Sequence, residues 1–366
     1  MSDLASLLRA LSQDESGTVT AVTDEMIAKA QREGVVTLLH DLQSKERSLV
    51  LPSCTARLLH NIAKQETAVE LAKMMGVRQV LGCMASAEIS VLLLKGGALA
   101  YWLYASPAQR ARCDLDILVA NIQVAKQAII ALKQAGYIFR IEAAEDSAEF
   151  EVTLEHTSRG GFLHRVDLHW RVLNHARLAA GLDFADLEAR AIDIPSLQCG
   201  ARGLGLVHAL LHALLHRVTN IPSGQQDRLI WLYDIHLLAK RCSGEEWVEF
   251  VRQCSSLACA TPCLDGLIAT RSIFATPIPT PVEDALEDQT QQESWRLGSQ
   301  LDHGAMDRAH LAALAWPQKL GWLRRKLFPS RHFMRFRYQV SGVTGLTKAY
   351  FRRWWIGLQR ALGRVN

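Results

Sequence analysis

The six residues Asp114-Leu115-Asp116-Ile117-Leu118-Val119 constrain this chain more than any other stretch. Side chains on a β-strand alternate between its two faces. Read as a strand, the segment puts both carboxylates on one face and Leu115, Ile117 and Val119 on the other. The apolar face has to be covered, so the strand belongs to a sheet packed on a core. Two acids on one face repel each other, and a divalent cation between them relieves that repulsion. A strand end with two solvated acids has the same pattern, so other residues must separate the two readings.

Phe162–Trp170 follows the same logic. Arg165, Asp167 and His169 share one face, and Val166, Leu168 and Trp170 share the other. Asp167 is therefore a candidate third carboxylate, with an ordinary amphipathic edge strand as the plain alternative. Upstream, the apolar run Ser90–Leu94 enters Lys95-Gly96-Gly97, and Ala98–Tyr104 reads as a helix. Strand, glycine turn and helix N-terminus together let backbone amides approach a phosphate. Magnesium binds carboxylate and phosphate oxygens in one shell, and two metal ions held by three acids can activate a hydroxyl and stabilise departing pyrophosphate. Arg110 and Arg112, just before Asp114, can neutralise phosphate charge or be solvated loop residues.

The combination Leu94-Lys95-Gly96-Gly97, Asp114-Leu115-Asp116-Ile117 and Val166-Asp167-Leu168-His169-Trp170 resembles a bacterial uncharacterised nucleotidyltransferase family within the DNA polymerase beta-like superfamily. The likeness is closest over 88–173 and looser through His216, Asp234 and Phe328-Pro329-Ser330. Two departures stand out. Sixteen residues separate Gly97 from Asp114, more than is usual in the superfamily, and Lys95 takes a place that is usually apolar. The resemblance implies that Asp114, Asp116 and Asp167 are catalytic and bind Mg²⁺ or Mn²⁺, with Asp167 also helping to deprotonate the acceptor. It implies nucleotide contacts from Lys95, Gly96, Gly97, Arg110 and Arg112, and acceptor or supporting roles for His169 and His216. The expected activity is transfer of a nucleoside monophosphate from an NTP such as ATP to an unidentified acceptor, with release of pyrophosphate. Two rivals stay open: a toxin-like enzyme that modifies tRNA, and a non-catalytic membrane- or assembly-binding module that keeps the fold.

The expected fold class is α+β, a small mixed-sheet core flanked by N- and C-terminal helical regions. The divisions fall at 1–85 (helical), 86–173 (core), 174–317 (helical) and 318–366 (basic aromatic tail). Thr23 and Asn121 are predicted N-caps, and 54–84 carries apolar residues at helical spacing. Tyr137–Ile141 and Glu149–Glu155 read as further strands. Leu204–Val218, Leu229–Cys242 and Trp247–Cys254 read as helices, and the first carries His208, His212 and His216 on one face. That face suits a cleft lining, neighbour packing or a transition metal. Cys254, Cys259 and Cys263 lack the close pair of common zinc sites and read as buried helical cysteines rather than ligands.

The formal charge of +4 conceals an asymmetry. Residues 318–366 hold twelve Lys or Arg and no Asp or Glu, leaving 29 basic against 37 acidic residues, net −8, in the rest. Aromatic residues interleave with the tail's charges. Such a segment can lie on an anionic membrane, bind nucleic acid or pack on the acidic body. The opening residues lack the pattern of a signal peptide, and no apolar run is long enough to span a bilayer. The expected location is cytoplasmic, with a peripheral seat on the inner membrane surface left open by the tail.

Overall fold

The computed structural model describes residues 22–45, 51–139, 150–198, 200–220, 227–291, 293, 308, 310–329 and 331–361. The first helices among the described residues are α1 (Asp24–Glu33), α2 (Val36–Lys45) and α3 (Ser53–Ser86). Thr23 caps α1 as predicted, its Oγ1 accepting from the Met26 N–H at 3.3 Å. Gly34 ends that helix at φ 76°, a left-handed conformation that costs glycine little. The central elements follow as β1 (Leu92–Leu93), α4 (Lys95–Trp102), β2 (Leu115–Leu118), α5 (Ile122–Gln134), β3 (Ile138–Phe139), β4 (Glu151–Thr157) and β5 (Leu163–His169). Asn121 caps α5 by accepting from the Gln123 and Val124 amides.

Beyond β5 come α6 (Phe184–Ala189), β6 (Ile192–Asp193) and β7 (Arg202–Gly203). The helices α7 (Leu206–Asn220), α8 (Leu229–Arg241), α9 (Gly244–Leu257), α10 (Ala260–Phe274) and α11 (Thr280–Thr290) form a bundle. The tail contributes α12 (Trp316–Leu327), α13 (Arg331–Tyr338) and α14 (Gly342–Ala361).

Among the described residues, seven strands make one mixed sheet in the order β3-β4-β5-β2-β1-β7-β6. Strand β2 runs parallel to β5 and antiparallel to β1, and β1 runs parallel to β7. Alternation along the central strands divides the core. Leu93, Leu115, Ile117, Val119, Val166 and Leu168 join Val77, Val80, Leu81 and Met84 of α3 and Ala125, Ala128 and Leu132 of α5. Leu92, Leu94 and Leu118 instead join the core of α1, α2 and the bundle. Asp116 and Leu118 share a strand face, so the acids are presented towards the bundle. The α+β class and its flanking helices are as the sequence predicts.

Four local differences matter. The sheet reaches past residue 173, because β6 and β7 lie in sequence read as helical; two-residue strands carry no periodic signal. Helix α4 starts at Lys95 rather than Ala98, so Gly96 and Gly97 form its first turn instead of preceding it. Asp114 sits one residue before the β2 ladder. Strand β3 is described only at Ile138–Phe139, and 140–141 lie outside the described residues.

Candidate active site

The parallel register of β2 and β5 sets Asp116 beside Asp167. The antiparallel register of β5 and β4 then sets Asp167 beside Thr153 and His169 beside Glu151. One row across the sheet therefore reads Asp116, Asp167, Thr153. The next reads Leu118, His169, Glu151. Continuing the β2–β5 register one step back places Asp114 beside Arg165, which pairs with Glu155 at 3.0 Å.

Asp116 is almost fully buried and carries two partners on one oxygen. Lys95 Nζ lies 2.5 Å from its Oδ1, and His169 Nε2 donates to the same atom at 3.0 Å. Burial alone would raise this carboxyl's pKa, but the Lys95 charge and the His169 hydrogen bond outweigh burial and hold it far below the usual carboxylate range. The reciprocal effect acts on Lys95: burial would lower its pKa, and the charge and hydrogen bond of Asp116, with the charges of Glu151 and Asp114, together more than reverse that. Lys95 reaches Asp116 from a left-handed backbone at φ 49°. For a residue with a Cβ that conformation costs about 1–2 kcal/mol.

The other two acids behave in the opposite way. Asp114 is pushed up by burial and by the Asp116 charge. Asp167 is pushed up to about 6, first by burial and then by the charges of Asp116, Asp114 and Glu151, against the pull of a 2.6 Å hydrogen bond from Thr153 Oγ1. With Lys95 engaged on Asp116, the other two carboxylates would ionise more readily with further positive charge beside them. Their hard oxygen donors match what Mg²⁺ or Mn²⁺ takes. Among the described residues, the one set of three potential ligands whose donor atoms all lie within 4.8 Å of one another is Cys254, Cys259 and Cys263. The aspartates thus stand wider than a closed metal shell, Asp116 drawn to Lys95 and Asp167 to Thr153.

Gly96 and Gly97 are buried in the first turn of α4. A Cβ on Gly97 would meet Leu115 Cδ1 at 3.0 Å, and one on Gly96 would meet the Arg110 guanidinium at 3.1 Å. These glycines let α4 lie against β2 and its leading loop. Leu94 supplies no side-chain cap to that helix, as an apolar residue cannot.

The two arginines turn away from the carboxylates. Arg110 grips Asp234 of α8 through Nε, at 2.8 and 2.9 Å to the two oxygens, and through Nη2 at 2.6 Å. Tyr104 donates to the same carboxylate at 2.6 Å. Arg112 pairs with Glu70 of α3 at 2.9 Å, supported by Tyr101, which donates to Glu70 at 2.7 Å. The loop before β2 is thereby clamped to α3 on one side and α8 on the other. Neither Glu70 nor the role of Asp234 follows from sequence spacing, since each partner lies far along the chain.

The three α7 histidines divide. His212 and His216 lie in the electrostatic reach of Lys95 and Asp116, whereas His208 faces Arg190, Glu249 and Asp186. Burial, then the Lys95 charge, pushes His212 down to about 3 and His216 well below its usual value. Both are neutral imidazoles at physiological pH. His216 packs edge-on to Trp231, while the buried Nε2 of His212 has no hydrogen-bond partner among the described residues. His169 Nδ1 lies 3.2 Å from Glu151 Oε2 without hydrogen-bond geometry. Glu151 and Thr153 lie on the polar face of β4, and no spacing assigns them a role.

The family model described as an uncharacterised nucleotidyltransferase matches residues 21–275. That span holds α1 to α10, every strand of the sheet and all the residues above. No curated protein matches the chain.

Proposed function

The chain belongs to the uncharacterised nucleotidyltransferase family, and from that premise we propose that it transfers a nucleoside monophosphate from an NTP to an acceptor hydroxyl or phosphate. The observation that carries this reading is the in-register pair Asp116 and Asp167 on adjacent parallel strands, with Asp114 one residue ahead of the β2 ladder. Asp114, Asp116 and Asp167 would hold Mg²⁺ or Mn²⁺, which supplies polarisation of the phosphate oxygens and neutralises their charge.

The protein's own groups then divide the work. Asp167, with its carboxyl raised to about 6, is poised to take the acceptor proton near neutral pH. The acceptor oxygen bonds to the α-phosphorus as the bond from that phosphorus to the bridging oxygen breaks. Pyrophosphate leaves with the electron pair. Lys95 stands on Asp116 as a resident cation and passes to a triphosphate oxygen when nucleotide enters. The first-turn amides of α4, which Leu94 does not cap, offer further donors to phosphate. His212 brings a neutral ring with a free nitrogen beside Lys95, suited to a substrate oxygen. Arg110 and Arg112 act as positioning residues, fixing the loop that delivers Asp114.

Calorimetry with a non-hydrolysable NTP tests the binding half of this reading. Binding should require Mg²⁺ and weaken about tenfold or more in Asp116→Asn and Asp167→Asn. Equal affinity with and without metal, in all three proteins, would remove the carboxylates from nucleotide recognition.

A further inference from the structure

Helices α12 and α14 expose apolar rows that the body leaves open. On α12, Trp316, Leu320, Leu323 and Leu327 are all exposed, Trp316 by 71%. Their spacings of four, three and four residues put them on one helix face. On α14, Phe351, Trp355 and Leu358 repeat the pattern, also exposed.

The opposite side of each helix accounts for its own packing. Trp322 of α12 turns inward against His310, at 5.8 Å between ring centroids, beside Phe150, Ala176 and Leu314. Leu346 and Ala349 of α14 bury against Met334 of α13. Arg353 Nε donates to the Lys326 carbonyl at 3.2 Å, and Trp354 Nε1 donates to the Leu327 carbonyl at 2.6 Å, which joins the end of α12 to the middle of α14. The tail is thus an organised unit whose leftover faces are apolar. A row of exposed Leu and Trp on a soluble surface marks a contact.

The charge around those rows identifies the partner. Arg324, Lys326, Arg331, Arg335, Lys348 and Arg352 are exposed on the same three helices, in a segment that holds no acid at all. Nucleic acid would use the cations and stack on the aromatic rings, but it offers nothing to a line of leucines. An anionic bilayer uses both: headgroups take the cations, and the acyl boundary takes Leu and Trp. None of the described helices is long and apolar enough to cross a membrane, so the contact lies in the interface.

We propose that α12 and α14 seat this protein on an anionic phospholipid surface, with Trp316, Leu320, Leu323, Leu327, Phe351, Trp355 and Leu358 entering the headgroup boundary. The proposal does not depend on the nucleotide reading.

Co-sedimentation of the full chain with vesicles tests it. The unaltered protein should bind vesicles of phosphatidylcholine containing phosphatidylglycerol and bind pure phosphatidylcholine far more weakly. A variant with Leu320→Gln, Leu323→Gln and Leu327→Gln keeps every charge, and its substituted residues are exposed, so it should fold normally by circular dichroism. Its binding should fall about tenfold or more. An Arg324→Gln, Arg331→Gln, Arg352→Gln variant should lose the preference for phosphatidylglycerol. Unchanged binding by the leucine variant overturns the proposal, as does failure of the unaltered protein to bind. Tight binding of single-stranded RNA that survives the leucine changes, with no vesicle binding, overturns it in favour of nucleic acid.

Discussion

Lys95 Nζ lies 2.5 Å from Asp116 Oδ1, so the most buried acid of the cluster already holds a cation. The lysine occupies a left-handed backbone position to make that contact. A side chain held at such cost on a carboxylate is both a placeholder and a competitor for a metal ion.

That duality has a measurable sign. With Lys95→Ala, Mn²⁺ alone should bind more tightly, by several-fold, because Asp116 loses its internal cation. NTP should bind more weakly, by about tenfold, because a phosphate partner is lost. Paramagnetic titration of Mn²⁺ and calorimetry of NTP measure the two separately. Weaker binding of both would make Lys95 a purely structural support.

The raised carboxyl of Asp167 sets a pH dependence. Its folded value of about 6 lies above the ordinary carboxylate value. From this group, the metal-free protein is therefore favoured at low pH and loses stability as pH rises from about 4 towards 6. A metal ion needs the ionised form, so protons compete with it below pH 6. Mn²⁺ affinity should fall by up to about tenfold per pH unit below that point, with proton release on binding. Asp167→Asn should flatten the profile while weakening the metal. A flat profile in the unaltered protein would show that Asp167 is not a ligand.

Arg110 and Asp234 form a buried pair with three close contacts. Breaking it from one side leaves a bare buried charge. Asp234→Ala should cost about 3–5 kcal/mol in urea unfolding, and Arg110→Met with Asp234→Leu should cost much less than either single change. Additive losses would mean that the two residues act independently.

His212 supplies a prediction that separates a substrate contact from packing. His212→Gln keeps a polar donor near the site, while His212→Leu fills the space with apolar atoms. If the free Nε2 meets substrate, the glutamine variant should retain KM within a few-fold and the leucine variant should raise it about tenfold, with thermal stability little changed or improved by leucine. Equal kinetics in the two variants would assign His212 to packing.

The residues that declare themselves in the sequence are those whose partners are set by local period. Asp116 on the β2 face opposite Leu115 and Ile117, Asp167 on a second strand, and the caps at Thr23 and Asn121 all follow from alternation or from helix ends. What is hidden depends on distant pairing. Glu70 meets Arg112, and Asp234 meets Arg110, only because α3 and α8 pack on either side of one loop. Lys95 is visible as a residue before two glycines, but its grip on Asp116 requires α4 to begin at that lysine. The glycines suggest a phosphate loop, and their surroundings show close packing on Leu115 and Arg110. Strands β6 and β7 are too short to leave a pattern and complete the sheet through β1. The α7 histidines look equivalent by spacing, yet His208 faces away from Lys95.

The most direct measurement follows an NTP labelled at the α-phosphorus, with Mg²⁺ and a cell extract as the source of acceptor. The unaltered protein should move label onto an acceptor and release pyrophosphate in equal amount for one or more of the NTPs. Asp114→Ala and Asp116→Ala should each reduce that transfer by about a thousandfold or more. Transfer that persists in both variants, or no transfer from any NTP together with no metal-dependent NTP binding, would contradict a carboxylate-centred nucleotidyl transfer and leave a binding module built on the same fold.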